Sequence, residues 1–491
     1  MTDSVVLDGG LTCEQVHTIA HGDVPVVVGP AAMARATAAH EVAEEVVLRR
    51  PVYGRTTGVG SNRTVQVGTA EAADHGLRLL RSHAGGAGPL VAPAVARAMM
   101  LVRLNQLAVG GSGVHPSVLH ALAAAVNRGR VPRVHQVGAI GTADLTALAS
   151  AALSLLGERP WADGSVGHLP VSHLPPHRLD ALAFVSSNAA TIGEAALACF
   201  EKTELLDATL VVAGLSFLAL DGLAEAFAAA VHDARPHPGQ RDTALRLRTL
   251  VGGEAGFTPG RVQDPFGLRA LPQVHGPAVE AALHLAEVLR IEMNSASENP
   301  LIDVASRDVL HNGNFHTAYL TYALDTARAT LFSTAGLSTA RLGALVEPTF
   351  TGLRPFLADG PAGSSGVMIL EYVAHSALAD LRHTAAPAGL GNAVLSRGAE
   401  EHASFSAQSA HRTSEVLPSN RTVLACELVA AVRALRQRSD APRGEGLSAA
   451  FSAAAAVLDD SAADRPLDLD IEAASELLPS LAVHVRGSAL S

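Results

Sequence analysis

The chain has 491 residues, room for roughly three folding units at about 150 residues each. Its 48% hydrophobic and 17% charged residues and mean hydropathy of +0.24 exclude a disordered chain. A net charge of −11, with no Lys/Arg cluster among aromatics, argues against nucleic acid and anionic membranes as partners.

In chain order, the start MTDSVVLDGG has neither a basic nor an apolar leader region. Residues 1–190 are broken by Gly and Pro and mix short β-branched runs such as Val26–Val28 with helical stretches such as Ala94–Leu107. This predicts a loop-rich N-terminal domain that carries active-site loops. From 191 to 491 the pattern turns to long Ala/Leu stretches with apolar residues three to four apart. They predict helices over 189–233, 276–296, 315–344, 366–385 and 418–437, and a terminal helix over 449–457. The fold class is therefore mainly α, with a central bundle of long helices. So apolar a chain, with few charges to coat it, buries its surface most simply between subunits.

The most apolar run, Thr209–Leu220, is shorter than the roughly 20 residues that span a bilayer. Cys13, Cys199 and Cys426 lack CxxC spacing, which points to a reducing compartment and to neither disulfides nor a thiolate metal site. A cytoplasmic protein is expected. Lys202 is the single lysine, which leaves almost no scope for Schiff-base catalysis.

Polar, Gly-containing segments lie between the helices, where chemistry on a rigid scaffold is expected. The glycines of 54–60 and 85–88 lack the endings of a phosphate loop or a dinucleotide fingerprint. His232 and His237 lack an HExxH setting, so no metal is expected. There is no GxSxG elbow. What remains is Tyr53, His83, Arg269 and Glu400. A phenol acts as a base only if a nearby cation lowers its pKa from about 10, and an arginine is the natural fork for a substrate carboxylate.

The segment PVYGRTTGVGSNR resembles the YGxNTGFG loop of the aromatic amino-acid ammonia-lyases and aminomutases. The likeness continues in order through RSHAGGAG, RLNQLAVGGSGVHP, VHDARPHPGQ, QDPFGLRALPQVHG, NSASENPLI, VLHNGNFH and AEEHASF. It is strongest to the histidine enzymes, whose histidine and carboxylate it keeps at His83 and Glu400. The resemblance implies Tyr53 as the base that removes the β-proton. His83 and Glu400 would carry protons or select the side chain, Arg269 would bind the carboxylate, and Gln263 and Phe315 would line the pocket. It also implies a homotetramer with composite sites built from three subunits each.

One part of the resemblance fails. The family's Ala-Ser-Gly tripeptide, which cyclises and dehydrates to methylidene-imidazolone (MIO), is Gly141-Thr142-Ala143 here. Threonine would leave a hindered, methyl-bearing alkene, and Ala143 adds a branch beside the attacking nitrogen. The family's tyrosine in QDxYSLR is Phe266, and its asparagine in LALxNGTQ falls at Ser186, with Asn188 two residues on.

MIO is therefore expected to be absent and no other cofactor is implied. Without it, the unactivated β-proton of an ordinary amino acid is too weak an acid for a phenolate. The expectation is an enzyme doing acid/base elimination, addition, isomerisation or cyclisation on a small carboxylate-bearing metabolite. The arginine-rich, GC-biased composition and the altered motif associate it with specialised metabolism. The alternatives are a histidine or tyrosine ammonia-lyase with an atypical MIO-like group, or a silent homologue that binds or assembles.

Overall fold

The computed structural model describes residues 4–68, 71–166, 179–252, 261–438 and 445–486. It is 63% helical, and the strands among the described residues form three two-stranded pairs. Local sequence sets many boundaries. Thr12 and Gln15 form a capping box at the start of the helix Cys13–His21. Pro30 and Pro93 open the helices Pro30–Val46 and Pro93–Val109 at the position where a missing N–H costs nothing, and left-handed Gly110 closes the second.

The predicted helix over 189–233 is continuous only as Ala189–Ala219. It stops at Asp221, whose φ is +52°, and at Gly222, where a Cβ would meet the Phe217 ring 2.3 Å away. A short 3-10 turn, Ala224–Phe227, and a short helix, Ala229–Asp233, follow. Two other helices start earlier than predicted. Leu271–Met293 contains Pro277, and Ser406–Arg438 contains Pro418. An internal proline costs a helix about 3 kcal/mol, which burial of side chains such as Leu289, Leu428 and Val432 offsets. The remaining long helices are Ala318–Leu345 and Ile369–Thr384, with Glu445–Val457 and Asp468–Arg486 near the C-terminus.

The apolar run is longer than the sequence suggests, because small residues extend it N-terminally. By length and composition alone the stretch Ala181–Ala219, two helices broken at Ser186–Asn188, is long and apolar enough to cross a bilayer, and 89% of its most apolar window is buried in the fold. Cys199 and Cys426 are buried thiols, and a hydrogen bond donated to Cys199 together with burial pushes the Cys13 thiol well above its usual range.

The chain divides into two compact units, each discontinuous in sequence. One comprises residues 1–200, 285–324 and 387–414, the other 201–284, 325–386 and 415–491. The first holds all three strand pairs: Val5–Leu7 parallel to Val26–Val28, and antiparallel Ala87–Leu90 with His135–Val137 and Leu301–Asp303 with Asp308–Leu310. Its centre contains a buried ion pair, Arg103 Nη1 to Glu298 Oε1 at 2.8 Å. The second is pinned by Glu427, whose carboxylate accepts from Arg341 Nε (2.6 Å) and Nη2 (2.8 Å), from Ser216 Oγ (2.7 Å) and from Ser338 Oγ. With so many donors, a wholly buried carboxylate is tolerated.

Candidate active site

The first unit contains a cleft of about 400 Å³. Tyr53, His83, Thr142, Ser186, Phe315 and Glu400 line it, with Ala143, Asn299 and the apolar residues Leu79, Leu145, Leu182 and Val185 among the rest.

Tyr53 sits in the loop after the helix Pro30–Val46. Its backbone N–H donates to His311 Nε2 at 3.3 Å, and its phenol oxygen accepts from the Gly60 N–H at 2.7 Å. The loop is fastened at two points. Arg55 pairs with Asp180 at 2.5 Å, and the Ser61 N–H donates to Ser396 Oγ at 3.0 Å. Gly60 is required there, because a Cβ would lie 2.4 Å from Ser396 Oγ on a residue whose φ is +56°. Ser396 belongs to the turn that carries Glu400, closed by an antiparallel bridge between Leu395 and Glu400. The same packing thus brings phenol and carboxylate to one cleft.

A phenol that acts as a base needs a nearby cation to lower its pKa, and in this chain Arg63 lowers it by less than burial raises it. Burial pushes the phenol above its ordinary value of 10. The Gly60 N–H pulls it down, the Glu400 charge raises it and Arg63 lowers it, each less than burial raises it. In the chain alone, Tyr53 is therefore protonated at neutral pH.

His83 ends the helix Ala72–His83 and hydrogen-bonds the Leu79 carbonyl through Nδ1 at 2.8 Å. That bond makes Nδ1 the protonated nitrogen and leaves Nε2 with the lone pair in the neutral ring. Ser186 ends the short helix Ala181–Val185 and accepts from the Asn299 N–H at 3.0 Å. Arg103 holds this helix from behind, donating to the carbonyls of Ala183 and Phe184.

Gly141-Thr142-Ala143 forms a tight turn with φ of +86° at Gly141 and +76° at Ala143. The Gly141 carbonyl accepts from Ser404 Oγ at 3.2 Å and Thr317 Oγ1 at 3.5 Å. The Ala143 N–H donates to Asn188 Oδ1 at 3.1 Å, and Asn188 Nδ2 donates to the Phe315 carbonyl at 2.5 Å. Ser186 therefore faces the cleft while Asn188 holds the turn. An alanine at position 141 is disfavoured here: its Cβ would lie 1.9 Å from Ser404 Oγ and 2.8 Å from Ser406 Oγ on a residue whose φ is +86°, whereas the left-handed third position, occupied by Ala143, is one that glycine adopts freely.

Arg269, Gln263 and Phe266 are not among the residues that line this cleft. Arg269 and Gln263 line another, of about 280 Å³, with Leu223, Glu225 and Asp264 in the second unit. The Arg269 guanidinium lies over the exposed Phe266 ring, 4.8 Å from its centroid. Among the described residues Arg269 forms no ion pair. Within one chain, then, these three do not line the cleft that holds Tyr53.

Sequence reasoning missed Thr317 and Ser404, ordinary hydroxyls whose only signal is their place in the motifs VLHNGNFH and AEEHASF. It also missed Asn299 within NSASENPLI, and the buried pair Arg103 and Glu298 that supports the cleft.

A family model described as aromatic amino acid lyase matches residues 11–456. Histidine ammonia-lyase of Geobacillus thermodenitrificans is 33% identical over 497 residues, covering 98% of each chain. Tyrosine aminomutase from Streptomyces globisporus superposes with a TM-score of 0.92 at 29% identity, covering 99% of this chain and 98% of that one. The ergothioneine-degrading ergothionase from Treponema denticola, solved with desmethyl-ergothioneine sulfonic acid, gives 0.89 at 26%, covering 98% and 99%.

Proposed function

The chain belongs to the aromatic amino acid lyase family, and from that premise we propose that it performs acid/base chemistry without MIO on a small carboxylate-bearing metabolite that brings its own activation. The observation that carries this reading is the coexistence of two facts. Tyr53, His83 and Glu400 still share one cleft with Thr142, while Ser404 fills the space that the alanine of Ala-Ser-Gly needs.

The cleft's lining includes Glu400 and no arginine or lysine, so within one chain it favours a cationic group. Relatives are named for histidine and for ergothioneine. A betaine of histidine, with a trimethylammonium on its α-carbon, meets both requirements. Its nitrogen has no proton to lose, so the base meets the carbon acid first and the nitrogen is always in its leaving form. Tyr53 takes the β-proton, the C–H electron pair becomes the C=C bond, and the C–N pair departs with a neutral amine. The substrate's own positive charge is the cation that draws the Tyr53 proton off. Glu400 and His83 Nε2 hold the imidazole. Arg269, with no ionic partner among the described residues, serves the carboxylate of a neighbouring copy's substrate in a homo-oligomer.

Assaying the purified protein with L-histidine, its Nα-trimethyl betaine and L-tyrosine tests this through the absorbance of the acrylate product. Turnover of the betaine is expected, with kcat/KM for the two free amino acids lower by at least about 10³-fold, roughly 4 kcal/mol. Comparable turnover of L-histidine or L-tyrosine favours an ammonia-lyase with an atypical MIO-like group. No turnover of any of the three, with ligand affinity unchanged in Tyr53→Phe, identifies a silent homologue.

A further inference from the structure

Thr142 is more than a residue that fails to make a cofactor. Backbone groups on both sides of it are engaged. The Gly141 carbonyl accepts two hydroxyl hydrogens, the Ala143 N–H is taken by Asn188, and Thr142 itself bridges His316 in antiparallel fashion. A buried alanine at φ +76° holds a conformation that is strained for an L-residue, and such strain persists where the surroundings over-determine it. Ser404, Ser406, Thr317 and Asn188 are those surroundings, and all are buried.

The Thr142 side chain is treated differently. Threonines in tight turns ordinarily return their hydroxyl hydrogen to a nearby backbone acceptor. Here the hydroxyl has no hydrogen-bond partner among the described residues, and the side chain lines the cleft beside Tyr53, His83 and Glu400. A rigid, strained turn thus presents one unspent donor to whatever fills the cleft.

We propose that Thr142 contacts the substrate and determines its specificity. Its hydroxyl donates to an acceptor atom of the bound acid: a carboxylate oxygen, a carbonyl oxygen or an unprotonated ring nitrogen. The proposal rests on the reading that the tripeptide is unmodified, since a dehydrated Thr142 has no hydroxyl to offer. In this chain, selection by a hydrogen bond takes the place of an electrophile.

The test uses the full chain, Thr142→Val and Thr142→Ser, with imidazole-4-acrylate and 4-hydroxycinnamate as probes in calorimetric titrations. Valine keeps the shape and removes the hydroxyl, whereas serine keeps the hydroxyl. The expected result is that wild type binds at least one probe and Thr142→Val binds it about tenfold or more weakly. Thr142→Ser stays within about twofold, and all three proteins share one unfolding midpoint. Equal affinity in wild type and Thr142→Val overturns the proposal. So does failure of wild type to bind either probe at millimolar concentration, or an affinity loss matched by a lowered midpoint and not rescued by serine. An intact wild-type mass short by two waters is a separate outcome, which overturns the reading of an unmodified tripeptide and the proposal with it.

Discussion

The phenol of Tyr53 is held in place by the Gly60 N–H and kept protonated by burial and by the charge of Glu400. A base must lose its proton to act, so the proposed role fixes the sign of the pH dependence. Because the free enzyme's phenol titrates above 10, kcat/KM climbs with pH between about 7 and 9.5. In the complex the substrate's positive charge lowers that pKa, so kcat levels off earlier. A flat or falling kcat/KM, or an alkaline limb that survives in Tyr53→Phe, contradicts the assignment. Glu400→Gln removes a charge that opposes the phenolate and shifts the Tyr53 titration downward, as read in ultraviolet difference spectra against Tyr53→Phe. The identity of Tyr53 was legible in its motif. Its charge state was not, because burial is a property of the folded loop and the lowering effect of Arg63 is the smallest of the four.

The turn at 141–143 shows what sequence register reveals and what it hides. The three altered residues are evident from their place in VGAIGTADLTAL, but Ser404, which fills the alanine's space, lies 263 residues away. Gly141→Ala is expected to cost about 1–3 kcal/mol in chemical denaturation from overpacking and left-handed strain. Adding Ser404→Gly recovers part of that loss, whereas strictly additive effects contradict the steric account. The next residue, Asp144, precedes the helix Leu145–Leu155 without capping it, and its carboxylate accepts instead from the backbone N–H and hydroxyl of Thr191 in the first turn of Ala189–Ala219. Burial raises it from 3.8 to about 6. A raised carboxyl stabilises the fold while protonated, so this contribution, on the order of 3 kcal/mol, is present below pH 3.8 and lost as pH rises through about 6. The stability of wild type relative to Asp144→Asn should therefore improve as pH falls from 7 to 4, and a difference independent of pH contradicts it. Helix boundaries misread at Pro277 and Pro418 have the same origin: local propensity yields to burial of the whole helix.

At the scale of the molecule, the mainly helical class and the family were readable from periodicity and from ordered motifs. The break at Asp221 and the placing of Arg269 and Gln263 in a second cleft were not, since both depend on tertiary contacts. If a second copy supplies Arg269, mixing inactive Tyr53→Phe chains with inactive Arg269→Ala chains and allowing subunit exchange restores a fraction of activity, because some sites then hold both intact groups. Activity that stays at the level of the separate variants contradicts a shared site. The central claim, that this lyase-family chain works with an unmodified Gly141-Thr142-Ala143, is tested most directly by the intact mass of the purified, catalytically competent protein. The account predicts the full mass of the 491-residue sequence, allowing for removal of the initiator methionine. A mass short by two waters, mapped to the peptide containing Thr142, would contradict it.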